Sequence, residues 1–439
     1  MEYDAFVIGG GPAGYACAIR LAQKGKKVAL AEMEKIGGEC LNYGCIPSKA
    51  LIELAHSVDY LRNMKGVTLN EKIDLGEWNK WKWSMIEKLT GGVSTLLKAW
   101  KIDVIHGKAT LSGKNSVRVE GGKEYTSNNI IIATGSAPIS IPGIEHVLYN
   151  REILDLKEIP SSMAIIGGGY IGVELGTAFA KLGTNVTIIE MMDKILPGID
   201  ESVSRYAEKT LKRLNVAILT GKKVKAVSKG KKFRVDLEDG SVDADIVFMS
   251  VGRRPNTAGL GLEKAGVEMD GNFIKTDSRK MTSVEGIYAI GDVTKGPMLA
   301  HRAYYDADIV ASNISGESME ADYSSIPAVI YSDPEISTVG GKSAVEMSFP
   351  LMANGRALSM NAGDGAFRIF ADEDGFITGA ALAGVHSSEI ISEITLAKNS
   401  GLTLTDIALT VHPHPTVSEA LMEAAQIGSG FPLHYKPSR

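Results

Sequence analysis

One pattern of apolar and polar positions occurs twice along the chain. An apolar stretch at residues 5–8 precedes a glycine-rich turn, an alanine-rich stretch with helical spacing and a second apolar stretch that ends in an acidic residue. The same order begins again near residue 164, and Gly9 and Gly167 lie 158 positions apart. Short apolar runs bounded by turns predict buried strands, and the stretch between them predicts a helix. The chain therefore contains two related strand–helix–strand units with parallel strands.

A different pattern begins near residue 321. Residues 326–336, 367–370 and 376–382 alternate between apolar and polar positions, which is typical of antiparallel strands. Helical spacing follows at residues 387–400 and 405–410. We therefore expect a C-terminal α+β unit after the two α/β units.

Both turns of the repeated pattern have the spacing G-x-G-x-x-G. The first glycine permits a tight turn, the second lets a pyrophosphate approach the backbone, and the third lets helix and strand pack closely. Free N–H groups at the helix start favour the pyrophosphate, and the following acid accepts a hydrogen bond from a ribose hydroxyl. A glycine turn in a purely structural unit is the alternative, and two matched copies count against it. The residues are Gly9, Gly11, Gly14 and Glu32 in the first copy and Gly167, Gly169, Gly172 and Glu190 in the second.

Two dinucleotide sites in one chain suggest an electron relay between a tightly bound flavin and an exchangeable nicotinamide. Glu190 is followed by Met191 and Met192, so no arginine stands ready for a 2′-phosphate. A carboxylate at this position accepts the 2′-hydroxyl of NAD and repels the phosphate of NADP. We therefore expect FAD at the first site and NAD at the second.

The composition excludes several classes of protein. Of the 439 residues, 44% are apolar and 23% are charged, and the net charge is −5. These values are typical of a globular protein with a full-sized core and give no basic footprint for nucleic acid. No run of about 18 apolar residues predicts a membrane span, and no secretory signal is expected at the N-terminus. With three cysteines the chain does not resemble a secreted disulfide scaffold, so we expect a reducing, cytoplasmic location in which any disulfide is catalytic.

Cys40 and Cys45 follow the first unit and precede a helical pattern. A helix N-terminus lowers the pKa of a thiol and favours the reactive thiolate. A zinc half-site is one alternative, but only Cys17 remains as a further thiol and no suitable histidine pair accompanies it. A pair of buried, inert thiols is the other. We interpret the pair as redox-active and expect no metal site.

The segment around His414 combines a histidine with rigid neighbours. Pro413 and Pro415 fix the backbone on either side of it. Histidine titrates nearest neutrality and therefore suits proton transfer to and from thiols. Glu419 begins a helical run five residues later and is placed to orient the imidazole. A structural proline turn with surface histidines explains the segment equally well at this point.

Residues 37–49, Gly-Gly-Glu-Cys-Leu-Asn-Tyr-Gly-Cys-Ile-Pro-Ser-Lys, resemble the redox motif of the two-dinucleotide-domain disulfide reductases. The resemblance implies that Cys40 is the interchange thiol that attacks the substrate. It implies that Cys45 forms a charge-transfer contact with the flavin. It also implies that Lys49 lies near flavin N5 and pairs with Glu174 of the second glycine motif.

The chain departs from this family pattern at two positions. Glu39 stands where the family usually has threonine, and Tyr43 stands where it often has valine. Beyond the redox motif, residues 412–419 resemble the base motif of the same family. That resemblance implies that His414 is the base, that Glu419 is its partner, and that the base serves the other subunit of a homodimer. His414–Pro415 is also a candidate cis peptide.

The resemblance covers residues 4 to about 430 and implies further contacts with both cofactors. For FAD it assigns contacts to Gly38, Lys49, Gly107, Thr134, Gly135, Asp292, Met298, Leu299, Ala300 and His301. For NAD it assigns contacts to Val224 and Gly252.

The fold class that follows is α/β, with two Rossmann-like dinucleotide-binding domains and a C-terminal α+β dimerisation domain. We expect an FAD domain at 1–142 and 256–320, an NAD domain at 143–255 and an interface domain at 321–439. The resemblance implies oxidation of protein-bound dihydrolipoyl groups with NAD⁺, on the lipoyl domains of a 2-oxoacid dehydrogenase or similar acyltransferase complex. Two alternatives stay open: a related flavin oxidoreductase with another disulfide or a quinone as acceptor, and a flavoprotein subunit that serves mainly in assembly.

Overall fold

The first strand–helix–strand unit builds a mainly parallel sheet. The computed structural model describes residues 1–68, 70 and 72–436. The sheet has the order β3-β2-β1-β6-β5-β4, with β1 parallel to both β2 and β6. Strand β1 is central, and its side chains are almost all buried, as its continuous apolar run predicts. The elements up to the first crossover are β1 (Tyr3–Ile8), α1 (Pro12–Gln23), β2 (Val28–Glu32), α2 (Gly38–Tyr43), α3 (Cys45–Asn63), α4 (Leu75–Ala99), β3 (Asp103–His106), β4 (Ala109–Gly113), β5 (Ser116–Val119), β6 (Glu124–Ile132) and β7 (Ser136–Pro138).

The second unit repeats this arrangement in a parallel sheet of order β10-β9-β8-β14. An antiparallel sheet, β11-β12-β13, packs its apolar side against β8 and β14. The elements are α5 (Asn150–Ile153), β8 (Ser162–Ile166), α6 (Tyr170–Lys181), β9 (Asn185–Ile189), α7 (Glu201–Arg213), β10 (Ala217–Leu219), β11 (Val224–Lys229), β12 (Phe233–Leu237), β13 (Gly240–Ala244) and β14 (Ile246–Met249).

The chain then returns to the first sheet. β15 pairs antiparallel with β7, so the outward and return crossovers form one two-stranded connection, and β18 pairs with β6. Helix α9 packs on α1. The elements of this segment are β15 (Arg253–Pro255), α8 (Leu262–Ala265), β16 (Met269–Asp270), β17 (Phe273–Ile274), β18 (Ile287–Ala289) and α9 (Ala300–Ile314).

The C-terminal part is an antiparallel sheet of order β19-β20-β23-β22-β21 with helices packed on it. The predicted strand at 326–336 is interrupted, because a turn with a cis Asp333–Pro334 peptide separates β19 from β20. The elements are β19 (Ala328–Ile330), β20 (Ile336–Gly340), β21 (Val345–Pro350), α10 (Gly355–Ser359), β22 (Ala366–Ala371), β23 (Ile377–Ala383), α11 (Ser387–Asn399), α12 (Leu404–Leu409) and α13 (Glu419–Gly428).

One apolar cluster joins the three parts of the fold. It contains Leu51 of α3, Phe179 of α6, Phe248 of β14 and Phe370 of β22, all of them buried. Each such side chain stabilises the fold by roughly 1.5–3 kcal/mol. The α3–α6 contact in this cluster matters most for function, because α3 begins at Cys45 and α6 carries the second dinucleotide motif.

In the described part of the chain, no helix combines the length and apolar character needed to cross a bilayer. The domain limits at 142, 255 and 320 stay predictions. Residues 437–439 of the predicted interface domain lie outside the described residues.

Candidate active site

Cys40 and Cys45 lie on two consecutive helices that meet at Gly44. Cys40 is in the middle of α2, and Cys45 is the first residue of α3. Both are thiols, and both line a cavity of about 710 Å³ that extends between the first and second dinucleotide units. Cys45 is open to this cavity, whereas Cys40 is partly buried beside it. The predicted redox pair therefore faces a space large enough for a cofactor.

The two thiols are electrostatically unequal. A hydrogen bond from Cys40 lowers the pKa of Cys45 and the Lys49 ammonium lowers it further, although burial acts in the opposite direction. The same hydrogen bond, together with burial, raises the pKa of Cys40 far above its ordinary value. Both effects favour Cys45 over Cys40 as the thiolate of the pair. The position of Cys45 at the start of α3 acts in the same direction.

Lys49 is held beside the pair by Glu174. Its Nζ lies 2.8 Å from Glu174 Oε2, and the Glu174 side chain is only 4% exposed. The second carboxylate oxygen, Oε1, accepts a hydrogen bond of 2.8 Å from the backbone N–H of Tyr331, and Lys49 Nζ stands 4.4 Å from the centre of the Tyr331 ring. Three segments of the chain thus fix one ammonium near Cys45, which is the pairing that the sequence predicts.

The first dinucleotide motif has the geometry of a pyrophosphate cradle. A Cβ on Gly14 would lie 1.8 Å from the carbonyl oxygen of Gly9, so only glycine permits this helix–strand contact. Helix α1 begins at Gly11 without a side-chain cap, which leaves its first N–H groups for a ligand. Glu32 Oε2 accepts a hydrogen bond of 2.6 Å from the N–H of Gly10. These features fit a bound dinucleotide.

The second motif repeats the close glycine contact and the carboxylate hydrogen bond of the first. A Cβ on Gly172 would lie 2.1 Å from the carbonyl oxygen of Gly167, and Glu190 Oε2 accepts a hydrogen bond of 2.6 Å from Gly168. Helix α6 begins at Gly169, again without a side-chain cap. No hydrogen bond or ion pair among the described residues joins an arginine to Glu190, which keeps the site suited to a ribose hydroxyl.

Most of the residues predicted to contact FAD line the cavity of about 710 Å³ together with the thiols. From the first unit these are Gly9, Gly11, Glu32, Gly38, Lys49 and Gly107. From later in the chain they are Thr134, Gly135, Asp292, Met298 and Ala300. Asp292 Oδ2 accepts a hydrogen bond of 2.6 Å from the Ser136 hydroxyl.

Four other residues predicted to contact a cofactor do not line this cavity. Leu299 caps α9, and His301 Nε2 is 2.7 Å from the carbonyl oxygen of Pro327. The Val224 side chain is buried in the core between β11 and the second parallel sheet. Gly252 stands at the return crossover, where its carbonyl accepts a hydrogen bond of 3.0 Å from Ile139. All of the predicted cofactor contacts, including those of these four residues, stay predictions.

His414 and Glu419 form the pair that the sequence predicts, but at the surface. His414 Nδ1 lies 2.9 Å from Glu419 Oε1, and Glu419 Oε2 accepts a hydrogen bond of 2.8 Å from the N–H of Thr416. The His414–Pro415 peptide is cis. The His414 side chain is 79% exposed and does not line the cavity that contains the thiols. Within the described part of the chain its Nε2 makes no hydrogen bond, so this atom is available to a second molecule.

Comparison with known proteins decides the family. Residues 3–307 match the model of "Pyridine nucleotide-disulphide oxidoreductase", and residues 326–425 match the dimerisation domain of the same group. The chain is 46% identical to a dihydrolipoyl dehydrogenase of Bacillus subtilis, with 99% of this chain and 98% of that protein covered. It is 42% identical to a dihydrolipoyl dehydrogenase of Geobacillus stearothermophilus, again over 99% and 98%. The chain belongs to the pyridine nucleotide-disulphide oxidoreductase family.

A solved structure agrees with this assignment. The crystal structure of LpdA from Mycobacterium tuberculosis superposes with a TM-score of 0.91 at 27% identity, over 96% of this chain and 99% of that one. As a member of this family the chain is an oxidoreductase that uses FAD and NAD(H), and the first and second dinucleotide motifs fit these cofactors. The matched dimerisation domain indicates a homodimer.

Sequence reasoning missed several polar residues around the family's redox centre. Tyr15 and Tyr304 contact each other through their hydroxyls at 2.7 Å. Burial raises the pKa of both tyrosines, and the nearby Cys40 and Cys45 raise it further. Asn150 and Arg151 of α5 line the cavity beside the thiols, as does Arg253 of β15. No local motif marks any of them, although Tyr15 directly follows Gly14 and Arg253 directly follows Gly252.

Proposed function

We propose that the chain oxidises dihydrolipoyl groups to lipoyl groups with NAD⁺ as the electron acceptor. The observation that carries the proposal is the pair of thiols in the cofactor cavity beside Lys49, where the pKa of Cys45 is lowered and that of Cys40 is raised. Full-length similarity to enzymes named dihydrolipoyl dehydrogenase supports this choice of dithiol. The physiological partners in this proposal are the lipoyl domains of a 2-oxoacid dehydrogenase or similar acyltransferase complex.

The thiol chemistry follows from the two environments. With Cys40 and Cys45 joined as a disulfide, a thiolate of the substrate attacks Cys40 Sγ, and Cys45 leaves as a thiolate that Lys49 stabilises. The second substrate thiolate then attacks the substrate sulfur of the mixed disulfide. This step closes the lipoyl ring and releases Cys40.

Bound FAD supplies the route by which two electrons of the reduced thiol pair reach NAD⁺ as a hydride. For each dihydrolipoyl group oxidised, one NADH and one proton are formed. Glu174 keeps the Lys49 charge in place during this cycle, because its buried carboxylate is 2.8 Å from Lys49 Nζ and is anchored by Tyr331.

His414 of one subunit manages protons for the thiols of the other. Its exposed imidazole takes a proton from the substrate thiol and returns one to the leaving sulfur. Glu419 holds Nδ1 at 2.9 Å and so orients the ring with Nε2 directed outward. A cytoplasmic location belongs to the same proposal, since with three cysteines the chain has few thiols to spare for structural disulfides.

Anaerobic titration of the holoenzyme with dihydrolipoamide tests the proposal. We expect long-wavelength absorbance from the Cys45 thiolate next to oxidised flavin, followed by NAD⁺ reduction. Cys45→Ser should abolish that absorbance, whereas Cys17→Ala should keep it, because Cys17 is fully buried in the core away from the thiol pair. Flavin reduction without the band, or efficient turnover only with another disulfide or a quinone, would contradict the proposal.

A further inference from the structure

Glu39 lies at the edge of the first pyrophosphate cradle. Its neighbour Gly38 is packed against the cradle so tightly that a Cβ on Gly38 would lie 2.7 Å from the Cα of Gly11. Gly11, Gly38 and Glu39 all line the same cavity. From this position a carboxylate that turned toward the start of α1 would approach a bound pyrophosphate, and the two negative charges would repel each other.

The structure shows how this carboxylate is held. Glu39 Oε2 accepts hydrogen bonds from Arg151 Nη2 at 2.7 Å and from Arg151 Nε at 3.1 Å. Glu39 Oε1 accepts a bond of 2.8 Å from the amide of Asn150, which also donates to the carbonyl oxygen of Tyr43 at 2.8 Å. Arg253 Nη1 stands 3.7 Å from Glu39 Oε1 and adds a second positive charge.

Arg151 is itself fixed from two further directions. Its guanidinium makes a two-point contact with Glu34, at 2.9 and 3.2 Å, and it stacks over the ring of Tyr43 at 3.9 Å. Hydrogen bonds from Tyr43 and Arg151 lower the pKa of Glu34, although burial alone would raise it. Arg151 therefore compensates the charges of two carboxylates. Its planar guanidinium, with several N–H donors, suits both contacts better than the ammonium of a lysine would.

We propose that Arg151 is a positioning residue for FAD, which neutralises Glu39 and turns its carboxylate away from the pyrophosphate cradle. The two positions at which the chain departs from its family, Glu39 and Tyr43, both contact this one arginine. The three side chains act together: Arg151 compensates the negative charge of Glu39, and the Tyr43 ring supports the Arg151 guanidinium. The inference concerns retention of the cofactor and does not depend on which disulfide the enzyme uses.

A double-mutant cycle on the holoenzyme tests this role. The variants are Arg151→Ala, Glu39→Gln and the double variant, and the measured quantity is the rate of FAD release, followed by flavin fluorescence after dilution. We expect Arg151→Ala to release FAD about tenfold faster at low ionic strength, because the Glu39 carboxylate then loses its two hydrogen bonds from Arg151 and keeps only the more distant Arg253 as a cation. Glu39→Gln should release it no faster than the unmodified enzyme, and the double variant should recover most of the loss.

Salt dependence and a matched control separate charge from packing. The defect of Arg151→Ala should shrink at about 1 M salt, where the Debye length is about 3 Å. Arg234→Ala removes the same charge from an exposed pair with Asp236 and should leave FAD release unchanged. An unchanged release rate in Arg151→Ala would overturn the proposal. A double variant as fast as Arg151→Ala alone would do the same, since lost packing is not rescued by removing the Glu39 charge.

Discussion

Two inactive variants should complement each other in a mixed dimer. Cys40→Ser removes the proposed interchange thiol, and His414→Gln removes the proposed base. His414 is 79% exposed and does not line the cavity that contains Cys40, so the structure gives it no route to the thiols of its own chain through that cavity. If His414 serves the neighbouring subunit, coexpressing the two variants under different affinity tags will yield an active enzyme.

The expected magnitude follows from the symmetry of the dimer. If His414 serves the neighbouring subunit, each of the two sites takes its thiols from one chain and its histidine from the other. In the mixed dimer one site carries both substitutions and the other carries neither, so activity should be about half that of the unmodified dimer. Loss of general acid–base catalysis alone costs about 10²–10⁴-fold in rate. The mixed dimer should therefore exceed the His414→Gln homodimer by more than an order of magnitude.

The assay is NADH formation from dihydrolipoamide after purification over both tags, with FAD content measured in parallel. A mixed dimer of Cys40→Ser and Cys45→Ser is the matched control. It damages the thiol pair in both sites and should stay inactive. The reasoning about His414 would be refuted if the Cys40→Ser and His414→Gln mixed dimer were no more active than its two parents.

Three further predictions concern the second cradle, coenzyme choice and pH. Gly172→Ala would place a Cβ 2.1 Å from the carbonyl oxygen of Gly167, so KM for NADH should rise at least about tenfold while FAD content stays unchanged. Steady-state rates should favour NADH over NADPH by about tenfold or more, because the Glu190 carboxylate repels a 2′-phosphate; equal rates would contradict this. The hydrogen bond to Glu393 raises the pKa of His412. This hydrogen bond therefore contributes fully to the free energy of unfolding below the unfolded-state pKa of His412, about 6.5. The contribution is lost as pH rises through the higher folded-state pKa of His412. Accordingly, His412→Gln should lower the melting temperature more near about pH 5.5 than near about pH 8.5, and an equal loss at both would count against it.

The parts of the fold that the sequence predicts are those with strong steric requirements. A Cβ at Gly9 would lie 2.4 Å from the carbonyl oxygen of Ala133, and one at Gly167 would lie 2.4 Å from that of Ser250. Such contacts tolerate only glycine, and therefore the spacing of the glycines is readable without a structure. The C-terminal sheet was harder to predict. Its strand β21 has only partly buried side chains along most of its length, so its pattern carries little signal.

Contacts between distant segments explain what sequence reasoning could not supply. Glu39 and Arg151 are separated by 112 positions, and no periodicity relates a residue of α2 to one of α5. The need for a cation near Glu39 was nevertheless predictable from the sequence, because a carboxylate beside a pyrophosphate cradle requires a compensating positive charge. Arg151 and Arg253 both meet that requirement in the fold, but only Arg151 also contacts Glu34 and Tyr43. An unusual charge in a recognisable motif therefore predicts that a partner exists, and the topology determines which residue it is.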